Sequence, residues 1–465
     1  YLIALLTTGL AILALEFAIG TKYRGSAPLP YARIGKGKKF AVIGWLSVLL
    51  TLGITTYYPI IIAWAILYML YSLNLSWGSE AGDFFYTDVL HLGDAANIFN
   101  LGDFIPQVLA ALAVVWLIVG IVLLAGVKKG IERASKIMIP LLLVLFIIFV
   151  IRAVTLEGAS VGLNAFFTPS WDEIFKPSVW IAAYGQIFFS LSLCMGIMIT
   201  YSSYLPRHAE IGSSALITGF ANSSVELLAG FGVFGALGFM ATMKGVSIAD
   251  VATSGPGLIF AVFPEIISQM PFAQFFGVLF FLCIVLAGIT SLISLMEVAV
   301  LAFSDKFKLK RRTATWCVMS FSLILSIPYA TGSGLYILDI VDYFVNNIVL
   351  IFAAILTVLV NGYISKTFKD TQTHLNTYSN VSFGLWWSIC IKVITPFILI
   401  LTFVLNIGDN LAENYGGYAD LFIYTLGWGT VAFYVIGSII LTNLPWHKSI
   451  KVKDYNFETD PEEAV

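Results

Sequence analysis

The chain has 465 residues, 59% of them hydrophobic and 11% charged, with a formal net charge of −2 and a mean hydropathy of +0.91. A soluble domain carries roughly 25% charged residues, so the composition excludes an ordinary water-soluble protein. The near-neutral balance, with basic residues in short clusters, gives no face for nucleic acid.

An apolar segment of about 20 residues spans a bilayer core of ~30 Å, because a helix satisfies its own backbone polar groups where water is absent. On that criterion the chain has eleven spans, near residues 2–19, 40–71, 107–126, 136–153, 178–203, 214–243, 273–304, 314–332, 338–364, 385–406 and 420–441. The first loop holds Lys22, Arg24, Arg33, Lys36, Lys38 and Lys39. The second, 72–106, lacks lysine and arginine but carries Glu80, Asp83, Asp88, Asp94 and Asp103. Basic loops stay on the cytoplasmic side, so the first loop is inside and the second outside. The alternation continues through Lys128, Lys129 and Arg133, then Arg207, then 306–312, then Lys366 and Lys369, and puts the C-terminal tail inside.

Eleven spans with an inside C-terminus place Tyr1 outside, with nothing ahead of the first span. The expectation is an upstream helix, giving twelve in the intact protein. Residues 1–447 read as one transmembrane domain and 448–465 as a cytoplasmic tail. None of the four cysteines pairs in a CxxC motif, which gives neither a disulfide framework nor a zinc site. His91, His208, His374 and His447 lie outside the apolar cores and read as ordinary loop residues.

Two spans are unusually long, 40–71 and 273–304. With one helix upstream they become the third and the eighth, the spacing of an inverted five-plus-five repeat with its site near the bilayer midplane.

Polar residues inside the spans are the functional candidates, since ionisable groups there are costly. Gly130 and Pro140 bracket the inner end of the fifth helix: either that end unwinds, or the helix simply starts there. In 178–203, Gln186, Ser190 and Ser192 precede Gly196; the segment either breaks mid-membrane or continues with its serines bonded back to the helix. Asn222 and Glu226 share a face at i,i+4, either serving a site or playing a structural role, bonding each other or a neighbouring helix. Ala287, Thr290 and Ser291 place two hydroxyls and a carbonyl on one turn, oxygens a hard cation accepts, although serine and threonine are also common in helix contacts. Glu16, Glu297, Asp339 and Asp342 invite the same question.

The stretches ALEFAIGTKYRGSAP, YYPIIIAW, KGIERASKIMIPLL, WIAAYGQIFFSLSLCMG, ANSSVELLAG and LAGITSL, in that order, resemble the neurotransmitter:sodium symporter family across nearly the whole chain. The resemblance implies an all-α polytopic fold, a twelve-helix inverted repeat of which eleven helices lie here, with discontinuous helices for which this family is a standing example. It implies that Tyr58 donates to a substrate carboxylate. Phe189, Ser190, Ser192 and Met195 would line the pocket from a broken sixth helix, with Ile61, Ser291 and Leu295 at its side-chain end.

Two sodium sites are implied, one at Ser190 and Asn222, the other at the Ala287 carbonyl with Thr290 and Ser291. Glu226 stands where chloride-dependent relatives have a neutral residue, so chloride is not expected. Asp342 resembles the acidic half of an outer gate whose arginine belongs to the absent first helix, which also supplies part of both ion sites.

The function expected of the intact protein is sodium-coupled symport of an amino acid, hydrophobic or aromatic given Met195 and Leu295, by alternating access in a bacterial inner membrane. The competing readings are a transport-incompetent fragment, an ion channel, or a membrane-embedded enzyme, for which no catalytic arrangement is visible.

Overall fold

The computed structural model describes residues 1–458 apart from Thr253 and Asp454; the last part of the expected tail, 459–465, lies outside the described residues. Among those described there is no strand, only an isolated bridge between Phe104 and Thr331, and ten helices are long and apolar enough to cross a membrane.

In chain order the elements that position the site are α1 (Leu2–Tyr23), α2 (Pro28–Ile34), α3 (Ala41–Tyr71), α4 (Pro106–Leu124), α5 (Val127–Val154), α6 (Pro177–Ser190) and α7 (Ile197–Ser203). They continue with α8 (Gly212–Lys244), α9 (Ala273–Phe307), α10 (Arg311–Ala330), α11 (Gly334–Ile364), α12 (Phe368–Thr377), α13 (Leu385–Gly417) and α14 (Asp420–Asn443). α6 and α7 are two halves of one interrupted span. With the ten continuous helices they make an all-α polytopic fold of eleven crossings.

The two long helices, α3 and α9, pack along each other at the centre. Small residues admit close neighbours: a methyl on Gly288 of α9 would fall 2.7 Å from the Ile62 side chain of α3, and one on Gly44 of α3 would fall 2.4 Å from the Pro28 backbone of α2. Without a hydrophobic drive between helices in lipid, such close approach is what holds them together. The outer helices turn apolar side chains outward, such as Val144 and Ile151 on α5 and Phe433, Ile436 and Ile440 on α14. That is the surface a hydrocarbon solvent requires.

One end of the bundle is tied by charge. Glu297 on α9 is fully buried and receives both Arg311 terminal nitrogens at 2.7 and 2.6 Å, with Tyr204 donating at 2.5 Å. Beyond α14 the chain crosses this end. Lys306 donates to the Leu444 carbonyl at 2.7 Å, Arg33 donates to the Lys451 carbonyl at 3.0 Å, and Phe457 packs against His374.

His374 is therefore not an ordinary loop residue. It lies on α12, 6% exposed, with Nε2 3.1 Å from the Thr21 hydroxyl and Tyr378 against its ring. Its sequence neighbourhood is polar because α12 is amphipathic, and the burial comes from α1 and the tail. Burial, then the nearby Lys22 charge, pushes its pKa down to about 4, against a weaker upward pull from Asp370.

An unfolded histidine takes its proton near pH 6.5, so the unfolded chain binds that proton first and the folded state loses stability as pH falls from about 6.5 toward 4. A thermal melt across that window should show a falling melting temperature, and the fall should be shallower in His374→Phe. Equal slopes in the two proteins would remove the histidine from the account.

Candidate functional site

The break between α6 and α7 covers Leu191–Gly196. Ser192, Cys194 and Gly196 all have positive φ, at 51°, 61° and 76°. Only glycine takes that region freely; the other two cost of order 1–3 kcal/mol each and persist where surroundings over-determine them. Here the surroundings are specific. The Cys194 N–H donates to a Glu16 carboxylate oxygen at 3.1 Å, and the Cys194 carbonyl accepts from the Ser47 hydroxyl at 2.7 Å. Leu193 N–H reaches back to the Phe188 carbonyl at 3.0 Å and Ser192 N–H to Phe189 at 3.1 Å. The reading of 178–203 as one continuous helix fails: local propensity is indifferent there, and contacts from α1 and α3 hold the bend.

At the end of α6 lies a chain of polar side chains. Asn222 donates its amide to the Ser190 hydroxyl at 2.6 Å, and Ser190 donates to Glu226 at 2.9 Å. Gln186 and Tyr1 also donate to Glu226, and the Tyr1 hydroxyl lies 2.9 Å from that of Ser223. The i,i+4 spacings 186/190 on α6 and 222/226 on α8 put each pair on one face. Asn222 and Glu226 do not bond each other; both turn to Ser190 on the neighbouring helix α6, which a purely structural role would also produce. Gln186 could have been added from its spacing to Ser190, whereas nothing in the sequence marks Tyr1 as a partner of Glu226.

A second group lies on α9. The Thr290 hydroxyl donates to the Leu286 and Ala287 carbonyls at 3.0 and 2.9 Å, within an unbroken helix. Ser291 is exposed and stands beside the Tyr58 hydroxyl of α3. Pro59 follows Tyr58 inside α3, and its missing N–H leaves the Thr55 carbonyl without its helical donor. Ile61 and Tyr58 are half-buried, and Leu295 and Met195 are buried.

Phe189 is 53% exposed. It lines a cavity of 320 Å³ together with Tyr184, Gln186, Asp342, Asn346 and Asn347. Asp342 accepts from Asn346 at 2.8 Å and adjoins Tyr57. The cavity thus joins the pocket candidate Phe189 to the gate candidate Asp342, but Tyr58, Ser291 and Leu295 do not line it.

Gly130 and Pro140 lie apart from these groups. Gly130 is buried in a wide turn, Val127–Glu132, where a methyl would fall 1.9 Å from the Val122 carbonyl. Pro140 is exposed inside a helix that runs on to Val154, so that end is wound in this structure. Hydroxyl, amide and carbonyl oxygens of this kind suit a hard cation. No cluster of three or more His, Cys, Asp or Glu able to hold a metal exists among the described residues.

Comparison with known proteins bears on the family and the fold. The model of the sodium:neurotransmitter symporter family matches residues 1–80 and 75–454. Over 424 residues the chain is 38% identical to an uncharacterized sodium-dependent transporter of Methanocaldococcus jannaschii, covering 91% of this chain and 85% of that one. It is 28% identical over 469 residues to the sodium-dependent dopamine transporter of Bos taurus, covering 93% and 67%. The crystal structure of MhsT in complex with L-phenylalanine superimposes with a TM-score of 0.72 at 29% identity, covering 86% of this chain and 89% of that one.

Removing the Glu16 carboxylate leaves the Cys194 N–H buried and unpaired, which costs about 1–3 kcal/mol. Glu16→Ala should lower the melting temperature clearly, and Glu16→Gln, which keeps an accepting oxygen, should lower it less. An unchanged melting temperature in Glu16→Ala would show that the break does not depend on this contact.

Proposed function

The chain belongs to the sodium:neurotransmitter symporter family, and from that premise we propose that it couples sodium entry to uptake of an amino acid with a hydrophobic or aromatic side chain. Its relatives are transporters and not enzymes. The observation that carries the proposal is the interrupted span ending at Ser190, whose hydroxyl is shared by Asn222 and Glu226. A helix that stops inside the membrane presents the partial negative charge of its C-terminal carbonyls to a cation.

One sodium takes Ser190 and Asn222, and sodium replaces the amide–hydroxyl bond between them. The other takes the Ala287 carbonyl with the Thr290 and Ser291 hydroxyls, for which Thr290 swings off its own helix. The substrate carboxylate accepts from Tyr58. Its side chain lies among Ile61, Phe189, Ser190, Ser192, Met195, Ser291 and Leu295. The bound L-phenylalanine of MhsT supports the aromatic class.

Alternating access follows from where the oxygens sit. Sodium pulls α6, α8 and α9 into one arrangement, and the amino acid binds to it. Asp342, which lines the same cavity as Phe189, closes the outer side. Unwinding of α5 between Gly130 and Pro140 then admits water from the inside. Each charge moved inward at 100 mV contributes ~2.3 kcal/mol. Glu226 keeps a fixed negative charge next to Ser190, so chloride is not required. By the basic-loop rule the first loop and the C-terminal segment face the cytoplasm, and the short loops and brief tail suit a bacterial inner membrane.

In proteoliposomes with an imposed sodium gradient, labelled L-phenylalanine should accumulate above its external concentration, and choline in place of sodium should abolish this. Accumulation against a gradient would also exclude a channel. No accumulation of any hydrophobic or aromatic amino acid would overturn the proposal. Replacing chloride with gluconate should leave the native protein unaffected, whereas Glu226→Gln should transport only with chloride. Ser190→Ala and Asn222→Ala should each raise the sodium concentration needed for half-maximal uptake. Chloride dependence of the native protein would refute the role given to Glu226.

A further inference from the structure

At the far end of α13 the chain reads Tyr415-Gly416-Gly417-Tyr418. Both glycines have positive φ, 62° and 69°, a region that glycine enters freely. Two such residues in a row make a tight turn that brings both tyrosine rings together, their centroids 6.4 Å apart. Both hydroxyls donate to one carboxylate on α11: Tyr415 to one oxygen of Asp339 and Tyr418 to the other, each at 3.0 Å.

The helical part of α13 carries matching ties. Asn406 and Asn410 share a face at i,i+4. Asn406 donates to the Asn347 carbonyl at 3.1 Å, and Asn410 donates to the Tyr343 hydroxyl at 2.9 Å. The Tyr343 ring stacks on that of Tyr415, with centroids 3.7 Å apart. Asn347 lies in a wide turn of α11, Val345–Val349, an irregularity of the kind that recurs at functional sites. Asp339, Tyr343 and Asn347 follow one another at i,i+4, so α13 grips one face of α11 over roughly two turns.

The gripped segment carries the closing carboxylate. Asp342 and Asn346 line the 320 Å³ cavity, with Leu399 and Thr402 of α13 beside them and Gly185 and Phe189 of α6 as further lining. Asp339 does not line it. Its two oxygens are taken by the two phenols, which leaves Asp342, three residues on, as the carboxylate that meets the cavity. α11 and α13 are thus fastened into one wall, and closing the cavity requires that wall and α6 to approach.

We propose that Tyr415 and Tyr418 are positioning residues for the outer closure: their clamp on Asp339 holds this part of α11 to α13, keeps Asp342 withdrawn from α6 and so sets how often the cavity stands open. The proposal rests on the reading of Asp342 as the closing carboxylate. A site that is open for a smaller fraction of the time binds with an apparent constant weakened by that fraction. Removing the two phenol oxygens frees α11 to close, which weakens capture from outside without slowing the later steps.

Gly185 provides a reporter, because it lines the cavity and a methyl there would meet nothing within 4 Å. Gly185→Cys is placed in a Cys317→Ser background, where the remaining cysteines, Cys194, Cys283 and Cys390, are buried. Whole cells making the full chain are treated from outside with a membrane-impermeant thiol reagent, and L-phenylalanine uptake is measured on the same variants without the reporter. Tyr415→Phe/Tyr418→Phe should slow labelling several-fold and raise the half-saturating substrate concentration several-fold, with no fall in maximum rate. Each single variant should do so by less, and Asp342→Asn should speed labelling. Slower labelling cannot come from unfolding, which would expose the buried cysteines. Labelling also needs no transport, so it tests the clamp independently of the symport reading. Native-like labelling in the double variant, with an effect of Asp342→Asn, would overturn the clamp and leave the role of Asp342 standing. No effect of Asp342→Asn would remove that role and the clamp with it. A lower maximum rate at an unchanged half-saturating concentration would reduce the tyrosines to packing and likewise overturn the proposal.

Discussion

A backbone bend inside a membrane exists only if something replaces the hydrogen bonds it gives up. In this protein that replacement is a pair of side chains. Glu16 accepts the Cys194 N–H and Ser47 donates to the Cys194 carbonyl, so a residue in the left-handed region keeps both of its backbone partners. The rest of the site inherits its position from that bend. Because α6 stops at Ser190, the Ser190 hydroxyl lies where Asn222 and Glu226 can reach it.

The packing around the bend is built for rigidity. α3 supplies both Ser47 to the bend and Tyr58 to the face of α9. α9 carries Thr290 and Ser291 at one level and the buried Glu297 two turns on, fixed by Arg311 and Tyr204. One long helix therefore connects the polar site to the ionic tie at the end of the bundle. Leaving either member of such a buried pair alone costs more than the pair itself contributes, so the tie constrains where α9 and α10 can move.

Between α10 and α14, which both pack on α3, lies a groove whose lining includes Leu49, Leu52, Leu325 and Phe433. α3 is broad enough to seat α10 and α14 side by side, and Gly53 lets Tyr434 lie low between them. Polar groups with no partner across the gap turn inward to their own helices. The surface left over matches the solvent it faces.

Much was legible in the residue order. A hydrocarbon solvent forces spans to be long, apolar and helical, so hydropathy and loop charge alone located eleven crossings and marked 40–71 and 273–304 as unusual. The i,i+4 spacing of Asn222 and Glu226 put them on one face, because helical periodicity is a local property. The resemblance to a family added the expectation of roles for them. What residue order left undecided were encounters between distant segments. Glu16 and Cys194 are 178 positions apart, and Thr21 and His374 are 353 apart, so no pattern around either partner announces the other. Whether 178–203 bends, which carboxylate serves the bend and which serves Ser190, and that His374 is buried were all decided by tertiary structure. Those outcomes depend on which polar groups are left without water and on what else has been packed within reach of them.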